Sequence, residues 1–482
     1  MSQKPEVVEH QISVEDEWNF SKEEERNLRT LEEDLPDMTK PKIRRVTHIL
    51  RNNESLKRFF EPNFLAIGPL HHSKHPDSIL CKAEKAKLKL AAMFVEGSGT
   101  TKEALYHRIK EELKSLKACY GSKEIEKWND YELAFIFLVD GCALLRFIDC
   151  AANDKLKDLV FKTDLLTFAK LDLFLLENQI PYQLLQLLIT SCSLTRAKEL
   201  NKSIEDFISK NVVSLAGRQR QEQNTTAAQE SQQQNPASVE FQQPQQQQPA
   251  HLLALLRKKM IFEVKSAERP VETFQRFLEA YIFRERKPRR YGHSFRNIKE
   301  LKERGIRLRM SKTSSIKDVS FSRGILNFCL ATLNLPPITV DDSTGPKFMN
   351  LIAFEMSYDF ANKFEVTSYI SFLDYLIDRE EDVRELSDAG VLQNELGSDK
   401  DVAELFNTIS KNLVPDPEAY SEVKLAIQEH CNCALATCMV QLYYTYFNST
   451  WSFLAFIGAI LGLFFQAIQS YYKVYGKGSA TK

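Results

Sequence analysis

Apolar residues recur every three to four positions along most of the chain, which is the pattern of amphipathic helices. The first such stretches are 79–94 and 105–120, and residues 131–150 are apolar on nearly all sides, which predicts a buried central helix. Pro181 suits the first position of the helix that follows it, because its missing N–H would have no partner there. We therefore predict a mainly α fold with one large helical domain.

A small β element is predicted in the second half of the chain. Short strand-like runs occur at 306–309, 316–322 and 337–340. Sixteen glycines and 17 prolines are few for 482 residues, which argues against a turn-dense all-β fold. Further helices are predicted at 252–257, 272–285, 350–358, 365–378, 399–412 and 416–447.

The pattern changes near the C-terminus, where no charged residue occurs between Cys431 and Tyr472. The largely apolar run from Trp451 to Ile468 is just long enough, at about 1.5 Å per residue, to cross a hydrocarbon core of roughly 30 Å. We predict a single C-terminal transmembrane helix at 448–470 and a short basic tail at 471–482. A buried core helix of a soluble domain is the alternative interpretation.

This span predicts the lipid bilayer as one partner. Gly458 and Gly462 have the Gly-x-x-x-Gly spacing that lets two membrane helices approach closely, which predicts a homodimer. The orientation stays open. Lysines after the span favour a cytosolic tail, whereas a chain without an N-terminal signal and with its span at the end tends to keep its bulk in the cytosol.

The charges nearly cancel, with 64 Lys and Arg against 65 Asp and Glu. This balance argues against a wholly disordered chain and against a histone-like coat on nucleic acid. It also averages very different regions. Residues 1–40, with their dense run of acidic residues, predict an acidic disordered tail that is frayed or weakly helical. Residues 217–250 predict a glutamine-rich disordered loop, because this segment has too little apolar area to offset the entropy of ordering. The loop divides the helical domain into halves at 41–216 and 251–447.

A basic segment lies at 284–309, with eleven Lys or Arg against three Glu. Such a segment engages nucleic acid, anionic lipid headgroups or an acidic partner, or forms a solvated loop. Since a membrane span is predicted, lipid or an acidic protein is the preferred partner, and nucleic acid is not expected.

Common catalytic signatures are absent from the sequence. It contains no glycine-rich phosphate loop, Gly-x-Ser-x-Gly elbow, His-Glu-x-x-His motif or Cys-x-x-Cys pair. We therefore predict no catalytic residue, no cofactor and no enzyme activity. His71, His72 and His75 lie close together and are weak metal candidates; the alternative is a turn whose histidines pair with acids.

Two carboxylates, Asp172 and Glu177, lie within the apolar run LDLFLLENQIPYQLL. Buried carboxylates serve as general acid and base, so these two, with His71 and His72, make an unrecognised metal-dependent hydrolase the alternative function. Structural acceptors for backbone N–H groups are the preferred interpretation, with Asn178 and Gln179 capping the next helix.

The string Asp140-Gly141-Cys142 lies in another apolar stretch. A cysteine nucleophile with His71 as base is one interpretation of it. An inert, buried thiol is the preferred one, because a reactive cysteine needs a lowered pKa.

Together these strings resemble the plant family called domain of unknown function 247, or uncharacterised protein family 0481. The similarity covers about residues 41–472, with departures at Thr47, Leu70, Ser73 and Gly121. The motif positions that carry it are Gly68, Pro69, His71, His72, Asp140, Gly141, Cys142, Glu177, Asn178, Gln179, Pro181, Asn350 and Glu355.

The resemblance implies a plasma-membrane-associated plant protein without an accepted catalytic activity. Some grass members are implied as pollen-side determinants of self-incompatibility, a role that we do not carry over to this chain. The predicted function is a membrane-anchored recognition or signalling module that binds an unknown protein partner.

Overall fold

Helices form most of this protein. The computed structural model describes residues 21–33, 43–72, 79–159, 169–212, 248–261, 297–323, 330–358, 360, 363–432 and 450–475. Helices of the first half are α1 Lys22–Glu33, α2 His48–Arg51, α3 Glu54–Lys57, α4 Ile79–Ser98, α5 Lys102–Glu111, α6 Leu113–Ala118, α7 Ser122–Ile125, α8 Asp130–Ala152, α9 Tyr182–Thr190 and α10 Leu194–Asn211, with a 3₁₀ turn at Leu156–Asp158. Those of the second half are α11 Leu252–Ile261, α12 Ile298–Glu303, α13 Thr344–Glu355, α14 Glu365–Leu376, α15 Glu380–Asp388, α16 Asp399–Ile409, α17 Ser421–Cys431 and α18 Thr450–Tyr475. The predicted mainly α class is confirmed.

The longest helix of the first half, α8, lies at its centre. Asn129 caps it in a reciprocal arrangement: its side chain accepts from the N–H of Glu132, and the Glu132 carboxylate accepts from the N–H of Asn129. Its apolar residues are buried on nearly all sides, and it packs along α4 and α10. A central buried helix was predicted from this composition, whereas the single helix predicted at 105–120 is divided into α5 and α6.

Two small sheets form the β element. Strands β1 Ile306–Met310, β2 Ser320–Arg323 and β3 Ala331–Leu335 are ordered β1-β3-β2, with β1 parallel and β2 antiparallel to β3. Strands β4 Ile338–Val340 and β5 Leu392–Asn394 form a parallel pair. The sequence patterns predicted β1, β2 and β4 approximately and missed β3 and β5. Strand β5 gains its hydrogen bonds from the distant β4, whereas β3 pairs with the nearby β1 and β2.

The two halves of the chain share one hydrophobic core. A continuous cluster of buried residues includes Phe137 and Leu185 from the first half and Phe348 and Phe406 from the second. Polar bonds cross the same boundary. The amide of Asn350 accepts from the N–H of Leu176 at 2.7 Å and donates to the carbonyls of Phe59 and Pro346 at 2.7 and 2.8 Å.

Helix α18 is 26 residues long. Its most apolar part, Leu454–Tyr471, has no residue buried against the rest of the described chain. Leu463 and Phe465, for example, expose 67% and 62% of their surface. By length and composition this one C-terminal helix is able to cross a membrane, as predicted for 448–470.

Helix α1 lies within the segment predicted as an acidic disordered tail. Ser21 and Glu24 start it with a capping box: the Glu24 carboxylate accepts from the N–H of Ser21 at 2.7 Å, and Ser21 Oγ accepts from the N–H of Glu24 at 3.3 Å. Carboxylates in the first turn also favour a helix start. Within the segment predicted as a frayed or weakly helical tail, residues 22–33 therefore form a helix.

Several predictions concern residues outside the described ranges. They are the remainder of the acidic tail, the glutamine-rich loop up to residue 247, the helix at 272–285, the basic segment up to residue 296, His75, residues 433–447 of the helix predicted at 416–447, and most of the basic tail at 471–482.

Candidate functional site

The motif residues meet where two irregular, buried segments lie side by side. We call residues 63–72 the Gly-Pro segment and residues 172–181 the Asn-Gln segment. Each must satisfy its backbone N–H and C=O groups without a regular ladder, because an unpaired buried peptide group is costly. Side chains of the motif supply most of those partners.

Asp172 binds the start of the Gly-Pro segment. Its Oδ1 accepts from the N–H of Asn63 at 2.9 Å, and its Oδ2 accepts from the N–H groups of Phe64 and Leu65, both at 2.7 Å. Burial raises the pKa of Asp172 above its ordinary value, and the three N–H donors oppose that rise. Both carboxylate oxygens are therefore occupied by the backbone.

Glu177 is fully buried and binds the segment before α2. Its oxygens accept from the N–H of Val46 at 2.8 Å, from Arg51 at 2.6 Å and from Arg45 at 3.3 Å, and His71 Nε2 lies 3.2 Å away. Burial opposes ionisation, but the contacts with His71, Val46 and Arg51 lower the pKa of Glu177 below its ordinary value. This carboxylate is an ionised structural anchor.

The amides of Asn178 and Gln179 complete the connection. Asn178 Oδ1 accepts from the N–H of Ile67 at 2.7 Å, while its Nδ2 donates to the carbonyls of Leu65 and Asp172. Gln179 Nε2 donates to carbonyls of its own segment, and its Oε1 accepts from the N–H of Leu253 in the second half of the chain. These residues thus brace distant segments. The predicted role as caps of the next helix is wrong, because the bonds reach other parts of the fold.

A buried ion pair joins α4 to α8 beneath the Gly-Pro segment. Lys87 and Asp140 are 0% and 1% exposed, and Lys87 Nζ lies 2.6 Å from Asp140 Oδ1. Lys87 also donates to the carbonyl of Ala66 at 2.7 Å and contacts Glu84 at 2.7 Å, while Asp140 Oδ2 accepts from the N–H of Gly68 at 2.7 Å. Burial disfavours the ammonium charge, but the two carboxylates raise the pKa of Lys87 above its ordinary value.

Gly68 allows the Gly-Pro segment to make its turn. Its φ is +77°, which is unfavourable for a residue with a Cβ, and a Cβ there would lie 2.7 Å from the carbonyl oxygen of Gln179. Two aromatic donors hold the surrounding backbone: Tyr120 donates to the Gln179 carbonyl at 3.0 Å, and Trp128 Nε1 donates to the Pro69 carbonyl at 3.0 Å. The close approach of the two segments therefore requires glycine.

Gly141 and Cys142 belong to the buried side of α8. A Cβ on Gly141 would lie 2.5 Å from Leu188 Cδ1, so glycine lets α9 approach. The Cys142 thiol is fully buried, and burial raises its pKa to about 12. A protonated, inaccessible thiol does not suit the nucleophile interpretation. Pro181 precedes α9 as its N-terminal cap residue, within one position of the prediction.

Glu355 ends α13 and performs a related task in the second half. It accepts from the N–H groups of Val366 and Thr367 at 3.0 and 2.9 Å, at the start of α14, and from Arg257 Nε at 2.8 Å. Burial raises the pKa of Glu355, opposed by the nearby Arg257. Here too a motif carboxylate accepts hydrogen bonds from N–H groups in the first turn of a helix.

Comparison with known proteins decides the family. A model described as plant protein of unknown function, DUF247, matches residues 43–465. The chain belongs to the DUF247 family.

Relatives with the UPF0481 name occur in Arabidopsis thaliana. UPF0481 protein At3g47200 is 25% identical over 429 residues, which cover 85% of this chain and 82% of the relative. A second one, At3g02645, is 27% identical over 180 residues, which cover 37% of this chain and 33% of the relative. No solved structure matches. The family predicted from the sequence strings is confirmed.

The histidines of the DUF247 motif lie at the rim of this network. His71 faces Glu177, and His72 Nδ1 lies 3.6 Å from Glu84 Oε1 with its ring edge-on to Trp128 at 5.4 Å between centroids. In the part of the chain that the structure describes, no three His, Cys, Asp or Glu side chains are placed to hold a metal ion. The arrangement thus pairs each of these histidines with one acid.

The combined geometry of the DUF247 motif is that of a structural brace. Asp172 and Glu177, proposed together as acid and base of a hydrolase, use their oxygens on backbone N–H groups and arginines. Both side chains are 0% exposed. The network fixes two irregular segments against α4 and α8 and ties them to α11 and α13.

Sequence reasoning missed several contributors to this network, among them Lys87, Arg51, Tyr120 and Trp128. Lys87 carried a signal, because it occupies an apolar-face position of the helix predicted at 79–94. A lysine on the buried face of a helix requires a buried acid. The other three have no comparable local signal.

Proposed function

We propose that this DUF247 protein is a membrane-anchored protein-interaction module. The observation that carries the proposal is helix α18, a 26-residue helix whose most apolar part is not buried against any other described segment. A helix with Leu461 and Phe464 half or more exposed is unfavourable in water and favourable in a bilayer. The helical domain then lies at the membrane surface, and we place it at the plasma membrane.

A recognition role is supported by how the motif residues are used. The buried carboxylates and lysine form hydrogen bonds and an ion pair within the fold, and in the described part of the chain no three His, Cys, Asp or Glu side chains are placed to hold a metal ion. A rigid domain fixed to a membrane is suited to presenting its surface to a protein partner. Binding and signalling are therefore the functions that this architecture serves best.

The anchor is tested by fractionation of the full-length chain and of a variant lacking residues 448–482. We expect the full chain in the membrane pellet after alkaline carbonate washing and the truncated chain in the supernatant. Leu461→Arg/Phe464→Arg should also release the chain, because a central arginine costs about 2.5–3.5 kcal/mol on insertion. Leu194→Arg, on a residue 75% exposed outside the helix, is the matched control and should leave the chain in the pellet.

Recovery of the full-length protein in the supernatant would refute the proposal that α18 anchors it in a membrane. A fluorescent fusion then reports the compartment: we expect a plasma-membrane signal, and proximity labelling with the tag at each end reports the orientation and the neighbouring proteins.

Self-association through α18 is a separate part of the proposal. Gly458 and Gly462 lie one turn apart, and a Cβ on either would meet no atom of the described chain within 4 Å. The surface they form is therefore open to a second copy. Gly458→Leu/Gly462→Leu should abolish cross-linked dimers in membranes, whereas Ala459→Leu on the adjacent helix surface should not. Equal cross-linking of the two variants would show that the copies do not associate through Gly458 and Gly462.

A further inference from the structure

The outer edge of strand β1 has backbone groups without partners in the described chain. The carbonyl of Gly305 accepts from Ala331, and the N–H of Ser311 donates to Leu335, so the odd-numbered residues of this strand point to β3. Backbone groups of successive residues point to opposite sides of a strand, and those of alternate residues to the same side. Those of Ile306, Leu308 and Met310 therefore point outward, and β1 has no neighbour on that side in the described sheet.

The solvent face of this three-stranded sheet is polar and carries two arginines at that same edge. Arg307 and Arg309 are exposed and form no ion pair within the described chain. They pair in register with Thr332 and Asn334 of β3. Positive charge on this face is thus concentrated beside the open edge.

The opposite, apolar face is incompletely covered at this edge. Leu333 and Leu335 of the central strand are 0% exposed, whereas Leu308 and Met310 of β1 remain partly accessible. An additional strand beside β1 would cover both side chains. In such a strand, every second side chain would lie on the inner, apolar face. The side chains between them would lie beside the two arginines.

From these three features we propose that β1 is a docking edge for an extended acidic peptide segment of a partner protein. The segment adds a strand beside β1, with backbone hydrogen bonds to residues 306, 308 and 310. Its alternate side chains are carboxylates that face Arg307 and Arg309, and the intervening ones are apolar and cover Leu308 and Met310. This inference deepens the interaction part of the proposed function and rests on it.

Charge decides among the occupants of this edge. A second copy of β1 would place arginines opposite arginines, which is unfavourable, and positive charge on an edge strand is a common protection against self-pairing. Nucleic acid or lipid would use the arginines but not the backbone groups or the partly covered apolar face. A strand of alternating acidic and apolar residues would contact the arginines, the free backbone groups and the partly covered apolar face.

The test measures binding of a short fluorescein-labelled peptide, with valine and glutamate alternating, to the full-length chain in detergent micelles by fluorescence polarisation. Arg307→Glu/Arg309→Glu should weaken binding about tenfold or more. Lys198→Glu/Lys202→Glu on α10 changes the net charge equally and is the matched control, expected to bind as the parent does. A peptide that alternates valine with lysine should not bind.

Backbone methylation of the peptide separates strand addition from simple charge attraction. One peptide carries N-methyl groups on its valines and the other on its glutamates. Since the N–H groups of alternate residues point to the same side of a strand, only one of the two should lose binding, by about tenfold or more.

Equal binding of both methylated peptides would overturn the proposal, as would undiminished binding by the Arg307→Glu/Arg309→Glu variant. Capture of a single-stranded oligonucleotide or of anionic vesicles through the same arginines, with no peptide binding, would also overturn it. Membrane fractionation does not depend on this edge, so a failure here is distinct from a failure of the anchor.

Discussion

The buried pair of Lys87 and Asp140 makes the sharpest test of the structural interpretation. Asp140→Ala removes the acceptor of the Lys87 ammonium and also that of the Gly68 N–H. Breaking a fully buried ion pair costs about 3–5 kcal/mol, and an orphaned buried N–H costs about 1–3 kcal/mol more. The two effects overlap, so we expect a loss of about 4–6 kcal/mol in the free energy of unfolding.

The double substitution Lys87→Met/Asp140→Leu separates the pair from its surroundings. Removing both charges takes away the partners of the Gly68 N–H and the Ala66 carbonyl and the Lys87 contact of Glu84, but it leaves neither member of the pair as an unpaired buried charge. The double variant should therefore be less destabilised than the sum of the single ones. We expect a coupling free energy of about 3 kcal/mol. The exposed pair of Lys117 and Asp130 is the matched control, with an expected coupling below about 1 kcal/mol.

The assay is urea unfolding of the detergent-solubilised chain followed by tryptophan fluorescence, with all four members of each cycle measured under one set of conditions. A coupling for Lys87 and Asp140 no larger than that of the surface pair would refute the reasoning. The ammonium group would then not depend on that carboxylate.

Three further predictions use the same unfolding assay. Gly68→Ala should cost at least about 2 kcal/mol more than Gly390→Ala, because both have positive φ but only at Gly68 would the new Cβ meet a backbone carbonyl; equal losses would contradict this. Asn350→Ala should cost about 3 kcal/mol by leaving buried peptide groups of the first half unpaired, and a loss below about 1 kcal/mol would exclude that role. Burial lowers the pKa of His251 to about 3 from 6.5, so the unfolded chain alone binds this proton as the pH falls from 6.5 towards 3, and stability decreases over that window by up to about 1.4 kcal/mol per pH unit. His251→Asn keeps an acceptor for the N–H of Ala254 and should remove that part of the slope, whereas an unchanged slope would show that His251 does not titrate in this way.

Periodicity was a good guide to the helices because their hydrogen bonds are local. The patterns at 79–94 and 131–150 predicted α4 and α8, and the uncharged run at 451–468 predicted α18. Periodicity alone does not separate strand from loop in runs of three to five residues, so it detected β1, β2 and β4 only approximately and missed β3 and β5. The partner of β5 is also distant in sequence.

The site was harder to predict than the fold. Sequence reasoning found Asp172, Glu177, Asn178 and Gln179 and preferred a structural role for them, but it assigned the amides to the nearest helix. Their partners in other segments are 74 to 132 residues away, as with Glu177 and the N–H of Val46, separated by 131 positions. No local pattern encodes such a pairing, and only the three-dimensional fold displays it.

The core shared by both halves has a consequence for the connection between them at residues 217–250. The halves are held together by packed side chains and cross-boundary hydrogen bonds, so peptide continuity through this stretch is dispensable once the chain has folded. A single protease cut there should yield two fragments that co-purify as a non-covalent complex. Doubling the length of the connection should cost only about 0.6 kcal/mol, because loop-closure entropy grows slowly with length. An epitope, a cleavage site or a whole fluorescent protein can thus be inserted there with the domain intact.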